Sequence, residues 1–165
     1  MTVSARRLLT TGLRASLSPR AGVGRFPHRV WPRYVDLNRH MNQAAYAEVM
    51  ELSRWAWIVR SGLFTTLLSE RITPVVGRQS IEYRRELRPL VGFVVDTRAV
   101  AFHRRALRVE QHFVVGDRVH ATGVVDLVFL RGGRVVEAEV LRAAASDLIR
   151  PALGIQSWRV TGGTV

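Results

Sequence analysis

The chain has 165 residues, 47% of them hydrophobic and 23% charged; that is one domain's worth of chain with enough apolar content for a core, and it excludes wholesale disorder. It has no cysteine, which excludes a disulfide scaffold, a thiolate metal site and a cysteine nucleophile, and no apolar run approaches the roughly 20 residues of a membrane span. All 25 bases are arginine against 13 acids, a net charge of +12, but a lysine-free composition reads as the codon bias of a GC-rich genome and says little by itself about function.

The charge is uneven. Residues 1–35 hold seven arginines (Arg6, Arg7, Arg14, Arg20, Arg25, Arg29, Arg33) and no acid, so seven of the twelve net charges sit there. Three readings of this tail stand side by side: a loosely packed basic arm, an organelle transit peptide, or a contact with nucleic acid or an anionic membrane. No apolar stretch follows the basic residues, as a secretory signal would need, and the expected location is cytoplasmic. The remaining charge suits an acidic small ligand as well as a polyanion. Nothing resembles a zinc finger, a helix-turn-helix or an aromatic RNA-binding motif, so no nucleic-acid partner is expected.

In chain order, the tail covers residues 1–27. Residues 28–35 read as a short edge strand carrying Pro32. A polar loop over 36–42 ends on Asn42, a plausible N-cap. Residues 43–61 form the main helix, with Tyr46, Val49, Met50, Ser53, Trp57 and Ile58 on one face and Glu48, Glu51 and Arg54 away from it. Gly62 stops it, and 63–70 add a short second helix. Residues 73–87, 92–102, 107–115, 119–131 and 134–139 are valine-rich, alternate with polar residues and read as strands. Gly116-Asp117 and Gly132-Gly133 mark tight hairpins. Residues 146–153 add a terminal helix or extension. The expected organisation is a tail, one domain over 28–140, and a C-terminal extension over 141–165. The fold class is α+β: a curved antiparallel sheet wrapped around one long central helix, an element order that other α+β folds share.

The most informative stretch is Asp36-Leu37-Asn38-Arg39-His40-Met41-Asn42, followed by Tyr46. In extended chain, Asp36, Asn38, His40 and Asn42 would lie on one side of the backbone. They precede a helix N-terminus, which offers free N–H groups and partial positive charge. A carboxylate, an imidazole, amides and such a terminus are the parts needed to hydrolyse an acyl bond. No Gly-x-Ser-x-Gly elbow and no glycine-rich phosphate loop compete with this reading, and His103, His112 and His120 lack metal-ligand spacing.

These residues resemble the Asp-x-Asn-x-His-x-Asn-Asn pattern of hotdog thioesterases of the 4-hydroxybenzoyl-CoA thioesterase superfamily. The resemblance is to the plant acyl-ACP thioesterases and to the group around thioesterase superfamily member six. Ile81-Glu82-Tyr83-Arg84-Arg85-Glu86 is similar to the Glu-Tyr-Arg-Arg-Glu-Cys segment of the plant enzymes, and residues 88–113 are similar to the member-six group. The resemblance covers residues 28–140 and implies a hotdog fold and hydrolysis of acyl-CoA or acyl-ACP, linked to fatty acid metabolism. It implies Asp36 as the catalytic carboxylate, Asn38 and His40 as positioning and catalytic groups, and Glu86 as a second acid. Leu87 stands where the plant enzymes have cysteine, and Gln43 replaces the second asparagine. The family builds its sites at a dimer interface, so a homodimer or tetramer is implied. No cofactor is expected beyond coenzyme A as part of the substrate, and no metal.

Each residue also has a structural reading. Asp36 and Asn38 suit a turn, Asn42 a helix cap and His40 a backbone hydrogen bond. Tyr46, Trp55 and Trp57 suit the core or a dimer contact. Glu82, Arg84, Glu86 and Arg88 would share one face of a strand. Asn42, Tyr46, Arg84 and Arg85 are the candidate substrate contacts, and Arg84, Arg85, Arg88, Arg104 and Arg105 are candidates to hold the phosphates of coenzyme A or the acidic surface of a carrier protein. Two further readings stay open: a hotdog domain that binds acyl thioesters without turnover, and a hotdog dehydratase.

Overall fold

Along the three strands that follow the helices, every second side chain is buried. They are β3 (Gly92–His103), β4 (Ala106–Val115) and β5 (Arg118–Arg131). Phe93, Val95, Thr97 and Ala99 face inward from β3, Leu107, Val109, Gln111 and Phe113 from β4, and Ala121, Val125, Leu127 and Phe129 from β5. This alternation sets one apolar face against one polar face. The computed structural model describes residues 23–141. Before these strands come β1 (Val23–Arg29), a 3-10 turn at Pro32–Tyr34, α1 (Gln43–Arg60), α2 (Leu63–Ser69) and β2 (Ile72–Tyr83). After them come β6 (Arg134–Val136) and a 3-10 turn at Ala138–Leu141.

The sheet is antiparallel throughout, in the order β1-β3-β4-β5-β2, with β6 pairing the end of β5. Its buried face closes on α1, giving the curved sheet around one helix that defines a hotdog fold. Trp57, Met50 and Ile58 of α1 meet Phe26, Phe113 and Phe129 of the sheet, all at most 2% exposed. Each such side chain contributes on the order of 1.5–3 kcal/mol by leaving water. A side chain at Gly123 would overlap the Met50 thioether, so glycine leaves room for that side chain over β5. No helix among the described residues is long and apolar enough to cross a membrane.

Four expectations need correction. The first strand occupies Val23–Arg29 rather than 28–35, so residues 23–27 are already paired with β3 and Pro27 lies inside the strand; Pro27 is tolerated because β1 is an edge strand. The strand expected over 73–87 ends at Tyr83, because the amides of both Arg84 and Arg85 donate to the His120 carbonyl and break the register. Glu86 and Arg88 therefore do not continue one strand face with Glu82 and Arg84. The last strand stops at Val136. Finally, Arg54 is buried, at 5% exposure, although its charge suggested the polar side of the helix. The expected helix over 146–153, and most of the basic tail, lie outside the described residues.

Candidate active site

The loop between the first 3-10 turn and α1 is short and closed on itself. Val35 and Met41 form an isolated antiparallel bridge. Inside it the Asp36 amide donates to the His40 carbonyl at 3.2 Å and the Arg39 amide to the Asp36 carbonyl at 3.0 Å, with Arg39 at φ 62°. The expected loop over 36–42 thus contains a tight turn at 36–40, not an extended run. Asp36, Asn38 and His40 are gathered by folding back rather than by two-residue periodicity. Asp36 Oδ1 accepts the Asn38 amide at 2.9 Å, an Asx turn. His40 Nδ1 lies 3.9 Å from Asp36 Oδ1, an ion-pair distance too long for a hydrogen bond, and 3.3 Å from the Met41 carbonyl.

Asn42 then caps α1. Its backbone is extended and its side-chain oxygen accepts the Ala45 amide at 2.9 Å. The amides of Gln43 and Ala44 have no acceptor among the described residues. They leave two N–H donors and the positive end of an 18-residue helix at the start of α1. The turn is anchored from behind by Tyr34, whose carbonyl accepts the Asn42 amide at 2.8 Å and whose hydroxyl donates to Glu48 at 3.1 Å.

The segment after β2 forms the facing wall. The Leu87 carbonyl accepts the Met41 amide at 2.8 Å, and the Leu87 side chain is fully buried. His120 holds this segment from the other side. Its carbonyl accepts the Arg84 and Arg85 amides at 2.9 and 3.0 Å, and its Nδ1 lies 3.0 Å from the Glu86 carbonyl. Glu86 pairs with Arg88, and Arg84 pairs with Glu82 at 3.1 Å.

Between the two walls lies an open cleft of about 470 Å³. All eight candidate residues line it: Asp36, Asn38, His40 and Glu86, and Asn42, Tyr46, Arg84 and Arg85. Met41, Gln43 and Tyr83, which the sequence reading did not propose, line it too. Gln43 had a signal, its place as the first helical residue. Tyr83 had none, because its position depends on where β2 ends. Tyr46 is 3% exposed and packs edge-on against Tyr83 at 5.0 Å and against Phe113 at 4.9 Å. Burial, with a smaller contribution from Tyr83, pushes its phenol up to about 12. Tyr46 therefore stays neutral and forms the floor of the cleft. Arg104 and Arg105 are not near it. They make the β3–β4 turn, beside Val128 of β5, whereas Tyr83 pairs with Ala121; seven residues of strand separate the two places, roughly 23 Å.

A family model described as the thioesterase-like superfamily matches residues 30–145 of the chain. The chain belongs to this superfamily. Among curated relatives it is similar to Protein THEM6 of Danio rerio, 37% identical over 86 residues, covering 52% of this chain and 43% of the relative. It is also similar to Protein THEM6 of Xenopus laevis, 36% identical over 85 residues, covering 52% and 41%. The match thus spans less than half the length of these relatives. Among solved structures, the YbaW probable thioesterase of Escherichia coli superposes with a TM-score of 0.71 at 21% identity, covering 76% of this chain and 98% of the other. A thioesterase of Thermus thermophilus, solved in complex with coenzyme A and zinc, has a TM-score of 0.63 at 28% identity, covering 79% and 97%. These structural likenesses match the hotdog fold of this superfamily member.

Proposed function

We propose that this protein hydrolyses an acyl thioester, of coenzyme A or of acyl carrier protein, to a free carboxylic acid and a thiol. The observation that carries the reading is the meeting of Asp36, Asn38, His40 and Glu86 in one cleft at the N-terminus of α1. Membership of the thioesterase-like superfamily supports it, and the coenzyme A complex of the Thermus structure favours a CoA-type substrate.

In this reading the thioester carbonyl points at the start of α1. Its oxygen takes hydrogen bonds from the Gln43 and Ala44 amides as negative charge develops there. Asp36 acts in one of two ways. As general base it takes a proton from water while the water oxygen attacks the carbonyl carbon. As nucleophile it forms an anhydride that water then opens. Either way the C–S bond breaks and the thiolate leaves, taking up a proton. His40 and Asn38 orient the carboxylate, the water or the substrate. Glu86, paired with Arg88, is the second acid. Asn42 fixes the helix terminus, and Tyr46, Arg84 and Arg85 line the path of the substrate. The chain works as a homodimer or tetramer, and β2, a long edge strand exposed over residues 76–80, is a natural place for a second copy to pair.

The test is thiol release from acyl-CoAs of graded chain length and from an acyl carrier protein charged with the same acyl groups. Asp36→Ala is run alongside, and light scattering gives the assembly. Turnover lost in the variant supports hydrolysis. Tight binding of acyl thioesters with no turnover would replace hydrolysis by the binding reading.

A further inference from the structure

A second cleft, of about 430 Å³, opens beside the first and shares Arg85 and Glu86 with it. Its remaining polar wall is Arg88 and His120, and its apolar wall is Val91 and Val115. Glu86 is the one acid lining it, and that carboxylate is already paired with Arg88. Arg85 is exposed and makes no side-chain hydrogen bond or ion pair among the described residues. The balance of charge in the cleft is therefore positive.

The backbone here is built rather than loose. His120 fixes the segment three times: its carbonyl takes the Arg84 and Arg85 amides, and its Nδ1 meets the Glu86 carbonyl. With Nδ1–H donating to that carbonyl, Nε2 remains for a ligand, as an acceptor from a phosphate hydroxyl or, in the imidazolium form, as a donor to a phosphate oxygen. Two guanidinium groups and an imidazole edge around one concavity form a site for a phosphate. The planar fork of arginine matches phosphate oxygens two at a time.

We propose that the Arg85–Arg88–His120 cleft binds the phosphate end of the thiol carrier, the group that a coenzyme A and a carrier-protein phosphopantetheine have in common. This rests on the thioesterase reading. The acyl thioester occupies the cleft at α1, the carrier's arm runs past Arg85 and Glu86, and its phosphate lies against Arg88 and His120. Arg104 and Arg105 of the same chain, at the far end of the sheet, take no part. Arg88 then exchanges between Glu86 and the phosphate, so filling the second cleft loosens Glu86 in the first.

The test is calorimetric binding to the full chain of four probes: coenzyme A, 4′-phosphopantetheine, pantetheine and adenosine 3′,5′-bisphosphate. The wild type, Arg85→Gln, Arg88→Gln and Asp36→Ala are compared. The expected result is that coenzyme A binds at least about tenfold more tightly than pantetheine, as charge-assisted contacts to phosphate predict. That ratio falls toward one in Arg85→Gln and Arg88→Gln and is kept in Asp36→Ala. If the phosphate next to pantetheine is the group held, 4′-phosphopantetheine matches coenzyme A. If the nucleotide phosphates are held instead, adenosine 3′,5′-bisphosphate competes with coenzyme A and 4′-phosphopantetheine is weak, and the proposal is overturned. Equal binding of coenzyme A and pantetheine, or a ratio untouched by both arginine variants, overturns the proposal. Circular dichroism of each variant confirms that it is folded. Because the readout is binding, thioester hydrolysis can fail while this site stands, and the reverse.

Discussion

The Met41 amide donates to the Leu87 carbonyl at 2.8 Å, and this one bond ties the turn that carries Asp36, Asn38 and His40 to the segment that carries Arg84, Arg85 and Glu86. The bond is held by packing, since Leu87 is fully buried and Met41 is 2% exposed. The two walls of the cleft are thus set by a core side chain 46 positions away from the turn it supports.

Leu87→Ala should therefore act on both stability and the site. Leaving a cavity at a fully buried leucine costs about 2–5 kcal/mol. The destabilisation, read from denaturant midpoints, should come with a raised KM for any thioester the wild type hydrolyses. A stability loss with unchanged KM and kcat would show that the walls do not depend on this bond.

The sequence made the parts of the cleft visible but not the way they meet. The helix, its Asn42 cap and the hairpin strands follow from local periodicity and turn chemistry, and they stand within a few residues of where the pattern puts them. The Asp36–Asn42 motif named residues that share one cleft, but through a wrong geometry, because alternation cannot distinguish an extended segment from a turn with Arg39 at positive φ. His120 was legible only as a histidine without metal spacing. Its contacts with residues 84–86 arise from β5 pairing with β2, a relation between positions 34 to 36 residues apart. Arg54 was misread for a similar reason. A charge on a helix predicts solvent unless a polar partner waits inside the sheet, and that partner, Gln111, lies 57 residues on.

Asp36 has a structural task as well as the proposed chemical one, and two substitutions separate them. Asn keeps the side-chain oxygen that accepts the Asn38 amide, while Ala removes it. Asp36→Asn should melt like the wild type, and Asp36→Ala should lose about 1 kcal/mol, the usual worth of such a local hydrogen bond. Both should lose thioester turnover by about a hundredfold or more, as removal of a general base or nucleophile does. Full activity in Asp36→Asn would reduce Asp36 to a turn former.

Acid should weaken the fold in two separate windows. His28 is stacked on Phe93 at 5.6 Å, with Nε2 2.8 Å from the Ser53 hydroxyl, and burial lowers its imidazole to about 4 from 6.5. Below pH 6.5 the unfolded chain takes up a proton that the folded chain refuses. Stability therefore falls between pH 6.5 and 4, by up to about 3 kcal/mol, and levels off below. Glu110 acts in the same direction at lower pH, through a charged form that the fold stabilises rather than one that it excludes. His112, and Arg98 at the shorter distance of 2.7 Å, hold its carboxyl at about 2 against burial. Its stabilisation is complete above pH 4.5 and is lost as pH falls toward 2. Unfolding followed from pH 8 to 2 should show both slopes. His28→Gln should flatten the upper one alone, and Glu110→Gln the lower one alone. If His28→Gln left the upper slope intact, a different group would be responsible for it.

The buried Arg54 gives the sharpest contrast between two substitutions in contact. Its guanidinium donates to Gln111 Oε1 at 3.2 Å, and Gln111 Nε2 donates in turn to the Met50 carbonyl at 2.9 Å and to Thr97 Oγ1 at 3.1 Å. Burial lowers the Arg54 pKa to about 10, so it is still charged at neutral pH. No carboxylate forms a salt bridge with it among the described residues; the nearest electrostatic support is Glu51, one turn back on α1. Replacing Arg54 by Met removes a charge whose desolvation the fold has to offset, and it leaves Gln111 with its two other partners. Such replacements are often neutral or stabilising. Gln111→Leu does the opposite, leaving a buried cation, a hydroxyl and a carbonyl to find new partners, at a cost of about 2–3 kcal/mol or more. Denaturant unfolding should therefore rank Gln111→Leu well below Arg54→Met, with the double variant recovering most of the loss. The reverse order would mean that Arg54 is held by a partner that favours its charge, and the buried network would have to be rebuilt around that partner.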